Sequence, residues 1–241
     1  MQEEILKSRL NAVMDMIAAS SLANQVHAEE SKIRIELPIV NGKSQYVFNL
    51  KTTDVDNQVT FALDRNDVFI PFRWAIMIGI KNKTTRVETL YTFAPKNNGT
   101  DPSVFKQGFV TDAIDALYAG NVQWLLDNTV MLSAYPMEKF HKVPEQQGLF
   151  LLNSEDSPVS EGIMLERNLA KDLELIYPRY ILAGTRDQKV HVSFDAAGLT
   201  FALNDSDNYE ANLVLYMDGV LIKGGCQNGD KSPFGEAVGN W

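Results

Sequence analysis

Several residues in this chain are of types that do chemistry. His27, His141 and His191 are candidate bases or metal ligands, Cys226 is a candidate nucleophile, and Asp205, Asp207 and Glu210 offer hard oxygen ligands to calcium. Their spacing argues against each use. A metal site built on imidazoles needs ligands a few residues apart, and the histidines are scattered singly along the chain. His191 alternates with Val190 and Val192, which puts it on the polar face of a strand. A thiol becomes nucleophilic beside a base, and no histidine neighbours Cys226 in sequence, so Cys226 reads as a small turn or strand-end residue. The stretch from Asn204 to Glu210 lacks the sixth-position glycine and twelfth-position glutamate of a helix-loop-helix calcium site, and reads as a hairpin loop.

The chain also lacks a glycine-rich phosphate loop, a Gly-x-Ser-x-Gly elbow and a His-Glu-x-x-His pair. Carboxylate pairs for glycoside hydrolysis are defined by separation in space, which a sequence does not supply. Trp74, Trp124 and Tyr135 are candidates for a sugar-stacking face, although Trp74 lies inside the most apolar run and reads as core. The expectation is a protein that is not an enzyme, with no catalytic, cofactor-binding or metal-ligating residue and no cofactor.

The elements that would position any site divide into a helix and many strands. From Glu3 to His27 the apolar residues Ile5, Leu6, Leu10, Val13, Met14, Ile17, Leu22 and Val26 fall at helical spacing, predicting an amphipathic helix. Its stripe must be covered by the body of the protein or by a neighbouring subunit. A membrane surface suits it least, because Lys7 and Arg9 are outnumbered by acids in this segment.

From Ser31 the period changes to two. Ile33, Ile35 and Leu37 alternate with Lys32, Arg34 and Glu36, which predicts a half-buried strand. Asn41-Gly42 is a hairpin turn signal, with Tyr46 to Leu50 as the return strand. Gln58 to Leu63 follows as a strand and Asp64 to Asp67 as a turn. Val68 to Ile80 is apolar on both faces except at Arg73, so it should lie at the centre of the core, with Pro71 marking a kink or the junction of two strands. Further strands are expected at Arg86 to Phe93, Asn121 to Leu126, Val130 to Ala134, Phe150 to Leu152, Ile181 to Ala183 and Lys189 to Phe194. Thr111 to Tyr118 reads as a short helix, and Ser154 to Gly162 as a loop. The closing pair is Leu213 to Met217 and Val220 to Lys223, turning at Asp218-Gly219. Strands at intervals of about ten residues predict a sandwich or barrel.

With 241 residues, 45% of them apolar, the chain can bury one full core. A formal charge of −9 works against phosphate binding, so direct contact with nucleic acid is not expected. The acidic start, Met1-Gln2-Glu3-Glu4, is unlike a secretory signal, and one cysteine makes no intrachain disulfide. The expected division is a helical arm over 1–30, a β-sandwich body over 31–223 and an extended tail over 224–241, where Trp241 is a candidate anchor.

The segments Asp67-Val68-Phe69-Ile70-Pro71-Phe72, Gly120-Asn121-Val122-Gln123-Trp124 through Phe140-His141-Lys142-Val143-Pro144, and Ile181-Leu182-Ala183-Gly184 carry a resemblance. With the arm, strands and tail around them, they look like parts of jelly-roll capsid and other virion structural proteins of bacteriophages of Bacteroidetes-type hosts. The resemblance implies a mainly β fold, a single or double jelly-roll-like β-sandwich. It also implies synthesis in a host cytoplasm, residence in the virion, and partners that are copies of the chain and other virion proteins. The helix stripe and the terminal aromatic then suggest an oligomer interface at Leu6, Leu10, Val13, Ile17 and Trp241. The rival expectation is a carbohydrate-binding or glycan-hydrolysing β-sandwich.

Overall fold

The computed structural model describes residues 2–19, 27–51, 58–92, 117–142, 147–152, 160–165, 173–177, 180–194 and 206–226. The chain runs from helix α1 (Gln2–Ala19) through strands β1 (His27–Pro38), β2 (Gln45–Asn49), β3 (Gln58–Phe61), β4 (Val68–Asn82), β5 (Glu88–Tyr91), β6 (Asn121–Leu126) and β7 (Thr129–Pro136). A 3₁₀ turn at Met137–Phe140 follows. The remaining strands are β8 (Gln147–Leu152), β9 (Ser160–Leu165), β10 (Glu174–Leu175), β11 (Leu182–Ala183), β12 (Gln188–Ser193) and β13 (Tyr209–Lys223). The fold is mainly β.

The larger sheet has the order β10-β4-β13-β1-β3, with β11 and β5 also paired to β4. The second has the order β2-β12-β6-β7, and β8 pairs with β9. All the ladders between these strands are antiparallel. The two main sheets share one core, consistent with a β-sandwich. Ile33, Ile35 and Leu37 of β1 and Trp74, Ile76 and Ile78 of β4 meet Tyr46, Phe48, Val122, Trp124, Val190 and Val192 of the second sheet. The period-two spacing of these residues turns them to one face, as the sequence predicts.

The pairing is nested. β1 pairs with β13, β2 with β12, β4 with β10 and β11, and β6 with β7. The innermost pair closes at Asp127 and Asn128, both at positive φ (46° and 65°), the conformation of a two-residue I′ turn. This long ribbon is folded over so that β13 also pairs with β4 and β12 with β6.

Several expectations need correction. Asn41-Gly42 does turn the chain, with Gly42 at φ 77° and Lys43 N–H donating to the Val40 carbonyl at 3.2 Å. It does not close a hairpin, because β1 and β2 lie in different sheets. Asp218-Gly219 is not a turn either: β13 runs unbroken through it with a register shift against β4. Phe72 is passed over at that shift, beside Pro71, which has no N–H to donate. Two ladders hold β13 straight where local composition alone would turn it.

The boundaries move as well. β1 starts at His27 rather than Ser31 because its partner β13 continues to Lys223, opposite His27. Helix α1 is described to Ala19 rather than His27. β9 begins at Ser160, inside the expected loop, where Ser160 pairs with Leu152. Most of the expected helix Thr111 to Tyr118 and all of 227–241, including Trp241, lie outside the described residues.

Candidate functional site

The outer face of the larger sheet changes character along its length. At one end Val68 and Ile70 of β4 and Val220 and Ile222 of β13 form an apolar surface, and α1 lies over it. Val13 and Ile17 are buried there, while Leu6, Leu10 and Met16 are half-buried beside them. Val13 and Ile17, expected to contact a neighbouring copy, are thus covered by the chain's own sheet. The physical reason is that central strands apolar on both faces need a cover on the outer one. Trp241 lies outside the described residues.

Arg9 holds this helix in place. It is 1% exposed, and its guanidinium donates from Nη1 to the Phe72 carbonyl at 2.9 Å and from Nη2 to the Ile176 carbonyl at 3.1 Å. The same group lies 4.6 Å from the centre of the Tyr177 ring. The Phe72 carbonyl also accepts the Ile176 N–H at 3.0 Å, so Arg9 reaches over the edge where β4 meets the segment after β10. The signal in the sequence was position: Arg9 stands four residues before Val13, on the stripe itself.

Under the first half of the helix the packing opens into a cleft of about 380 Å³. Leu6, Leu10 and Phe72 form its apolar walls, and Lys7 of the helix and Glu30 of β1 stand along it. The polar floor is Arg73 of β4 and Asp218 of β13, facing each other across the ladder beside Gly219. Arg73 Nε donates to both Asp218 oxygens, at 3.2 and 3.0 Å, and Nη2 donates to Oδ2. Burial, and after it the Asp218 charge, pushes the neighbouring Tyr216 phenol up.

Further along the same face the polar residues are half-buried around a buried carboxylate. Arg34 bridges Glu36, at 2.8 Å, and Glu88, and Lys81 lies 3.7 Å from Glu36. Glu36 is 3% exposed. Gly79 makes the room: a Cβ there would stand 2.3 Å from Glu88 Oε1. Sequence alternation separated this face from the core correctly, but not from water.

The remaining candidates stay apart. Cys226 sits in a turn after β13, its N–H donating to Asn66 and its thiol to the Asp67 carbonyl at 3.3 Å. Asp205 is outside the described residues, Asp207 is exposed and Glu210 belongs to β13. Among the described residues no three His, Cys, Asp or Glu side chains gather as metal ligands. Trp74 and Trp124, at 2% and 1% exposure, pack in the core with ring centres 5.6 Å apart and planes tilted by 33°. Tyr135 packs on Trp74, and burial with the nearby Glu174 carboxylate pushes its phenol up to about 12. These aromatics hold the sheets together and offer no open stacking platform.

His191 lies half-buried on the outer face of β12, and burial, with the Lys189 charge, lowers its pKa. The folded state therefore binds its proton less readily than the unfolded chain. Stability is full above the ordinary value of about 6.5 and falls as pH drops from there through the folded pKa. His191→Gln is expected to flatten that part of a melting-temperature profile against pH. Parallel profiles for the two proteins would show that His191 is not responsible.

No protein-family model and no curated protein matches the chain. No helix among the described residues is long and apolar enough to cross a membrane.

Proposed function

We propose that this chain is a structural component of a bacteriophage virion, a single jelly roll that works by packing against copies of itself and other virion proteins, without an active site. The nested pairing carries this reading. A ribbon of paired strands, β1 with β13, β2 with β12, β4 with β10 and β11, and β6 with β7, rolled so that β13 meets β4 and β12 meets β6, is the pairing that two joined Greek keys would give and supports the jelly-roll reading. That architecture recurs in viral capsid proteins and in lectins. The capsid reading is favoured because the aromatics that a sugar-stacking face would use are in the core. The acidic charge of −9 suits a shell rather than a surface that packs nucleic acid.

Rigid sheets make a repeatable building block, since close-packed interiors deform little. With Val13 and Ile17 covered by the chain's own sheet, contact between copies falls to other parts of the surface. Light scattering across a concentration series, with negative-stain images, tests the reading. Defined oligomers or particles are expected. A monomer at every concentration overturns it.

A further inference from the structure

We propose that the cleft between α1 and the larger sheet binds a neutral polyhydroxylated ligand, a single sugar residue in size. This goes beyond assembly and does not depend on it. Assembly is read by light scattering and sugar binding by spectroscopy on the same chain, so one can fail without the other.

Size is the first reason. About 380 Å³ is open in a recess formed by helix and sheet, within the range that small-molecule sites occupy. Charge is the second. Lys7 and Arg73 are balanced by Glu30 and Asp218, so the lining selects neither an anion nor a cation. A neutral ligand costs this site least to receive.

The floor then decides which neutral ligand. Arg73 and Asp218 stand side by side, paired with each other, at 17% and 22% side-chain exposure, so both are held yet reachable. Hydroxyl groups donate and accept at once, and two on neighbouring carbons match such a pair. Hydrogen bonds to charged groups are the stronger kind. The pair is also preorganised, because Arg73 and Asp218 are cross-strand partners fixed by the central ladder and by each other. Gly219, at the register shift beside them, also lines the floor. Against the walls, Leu6, Leu10 and Phe72 supply the apolar surface on which the C–H face of a sugar ring rests.

The test is a titration of the isotope-labelled full chain, followed by amide NMR shifts. Glucose, galactose, mannose and N-acetylglucosamine serve as neutral probes, with inorganic phosphate and choline as ionic ones. At least one sugar is expected to give saturable shifts at Leu6, Lys7, Glu30 and Asp218, with affinity on the order of millimolar. Leu6→Trp, which fills the recess from the helix side, should abolish them. Asp218→Asn, which keeps the shape and removes the charge, should weaken binding at least about tenfold while leaving the spectrum folded. The proposal is overturned if no sugar gives saturable shifts, if the shifts map elsewhere, if phosphate or choline binds in the cleft more tightly than every sugar, or if both variants bind like the parent.

Discussion

Gly219→Ala is expected to destabilise the protein by about 3 kcal/mol, although it adds one methyl group. The new Cβ would stand 2.1 Å from the Ile70 carbonyl oxygen. That oxygen belongs to backbone, in a ladder between the two longest strands, so no side chain can swing aside. Ser31 of β1 pairs with Gly219 from the other side, so β13 cannot shift away from β4 without opening a second ladder. Gly42→Ala is the matched control. Gly42 has φ 77° and nothing within 4 Å of its missing Cβ, so only backbone strain is added, about 1 kcal/mol. Urea unfolding checks the pair: the Gly219 variant should lose about 1 M or more in midpoint, well beyond the Gly42 variant. Equal losses would mean that the bulge is soft, and that β13 is less tightly held than its pairing implies.

This site also shows how far local reading of the chain reached. Alternation in β1 and β12 turned Ile33 and Val190 to the core, because the period of two is a property of one strand alone, whereas Trp124, a candidate for a sugar-stacking face, is buried beside Trp74. The two-sided apolarity of Val68 to Ile80 placed β4 at the centre for the same local reason. What a strand pairs with is not local. Asn41-Gly42 and Asp218-Gly219 carry the same turn signal, yet one passes the chain between sheets and the other is held extended between β1 and β4. The difference lies in residues distant in sequence.

The candidate site was legible to a smaller degree. The helix stripe stood out from its spacing, and Val13 and Ile17 are indeed buried, but the surface that buries them was open among three alternatives. Arg9 was missed because a charged residue is discounted from an apolar face by default, and only the Phe72 and Ile176 carbonyls make its burial tolerable. Arg73 was visible as the one charge in an apolar run. Its partner Asp218 was hidden by the turn that Asp-Gly suggests, so the polar floor of the cleft could not be assembled from the letters.

Trp74→Ala should cost about 3–5 kcal/mol, the range for removing a buried large aromatic. Trp74 is 2% exposed and sits where the two sheets meet, with ring centres 5.6 Å from Trp124, 5.4 Å from Tyr135 and 5.0 Å from Phe140. Removing it leaves a cavity lined by rings of β6, β7 and the 3₁₀ turn, and flat rings held by a paired ladder collapse poorly into such a space. A fall in melting temperature of about 10 °C or more is expected for a chain of this length. Ile17→Ala, at the end of the docked helix, should fall less, because the last turn can shift on the sheet. If Trp74 were instead a platform for sugar, its loss would remove binding and leave stability nearly untouched. A thermal melt and a sugar titration on the same variant therefore separate the two roles, and a loss of stability under about 1 kcal/mol would remove Trp74 from the core that joins the sheets.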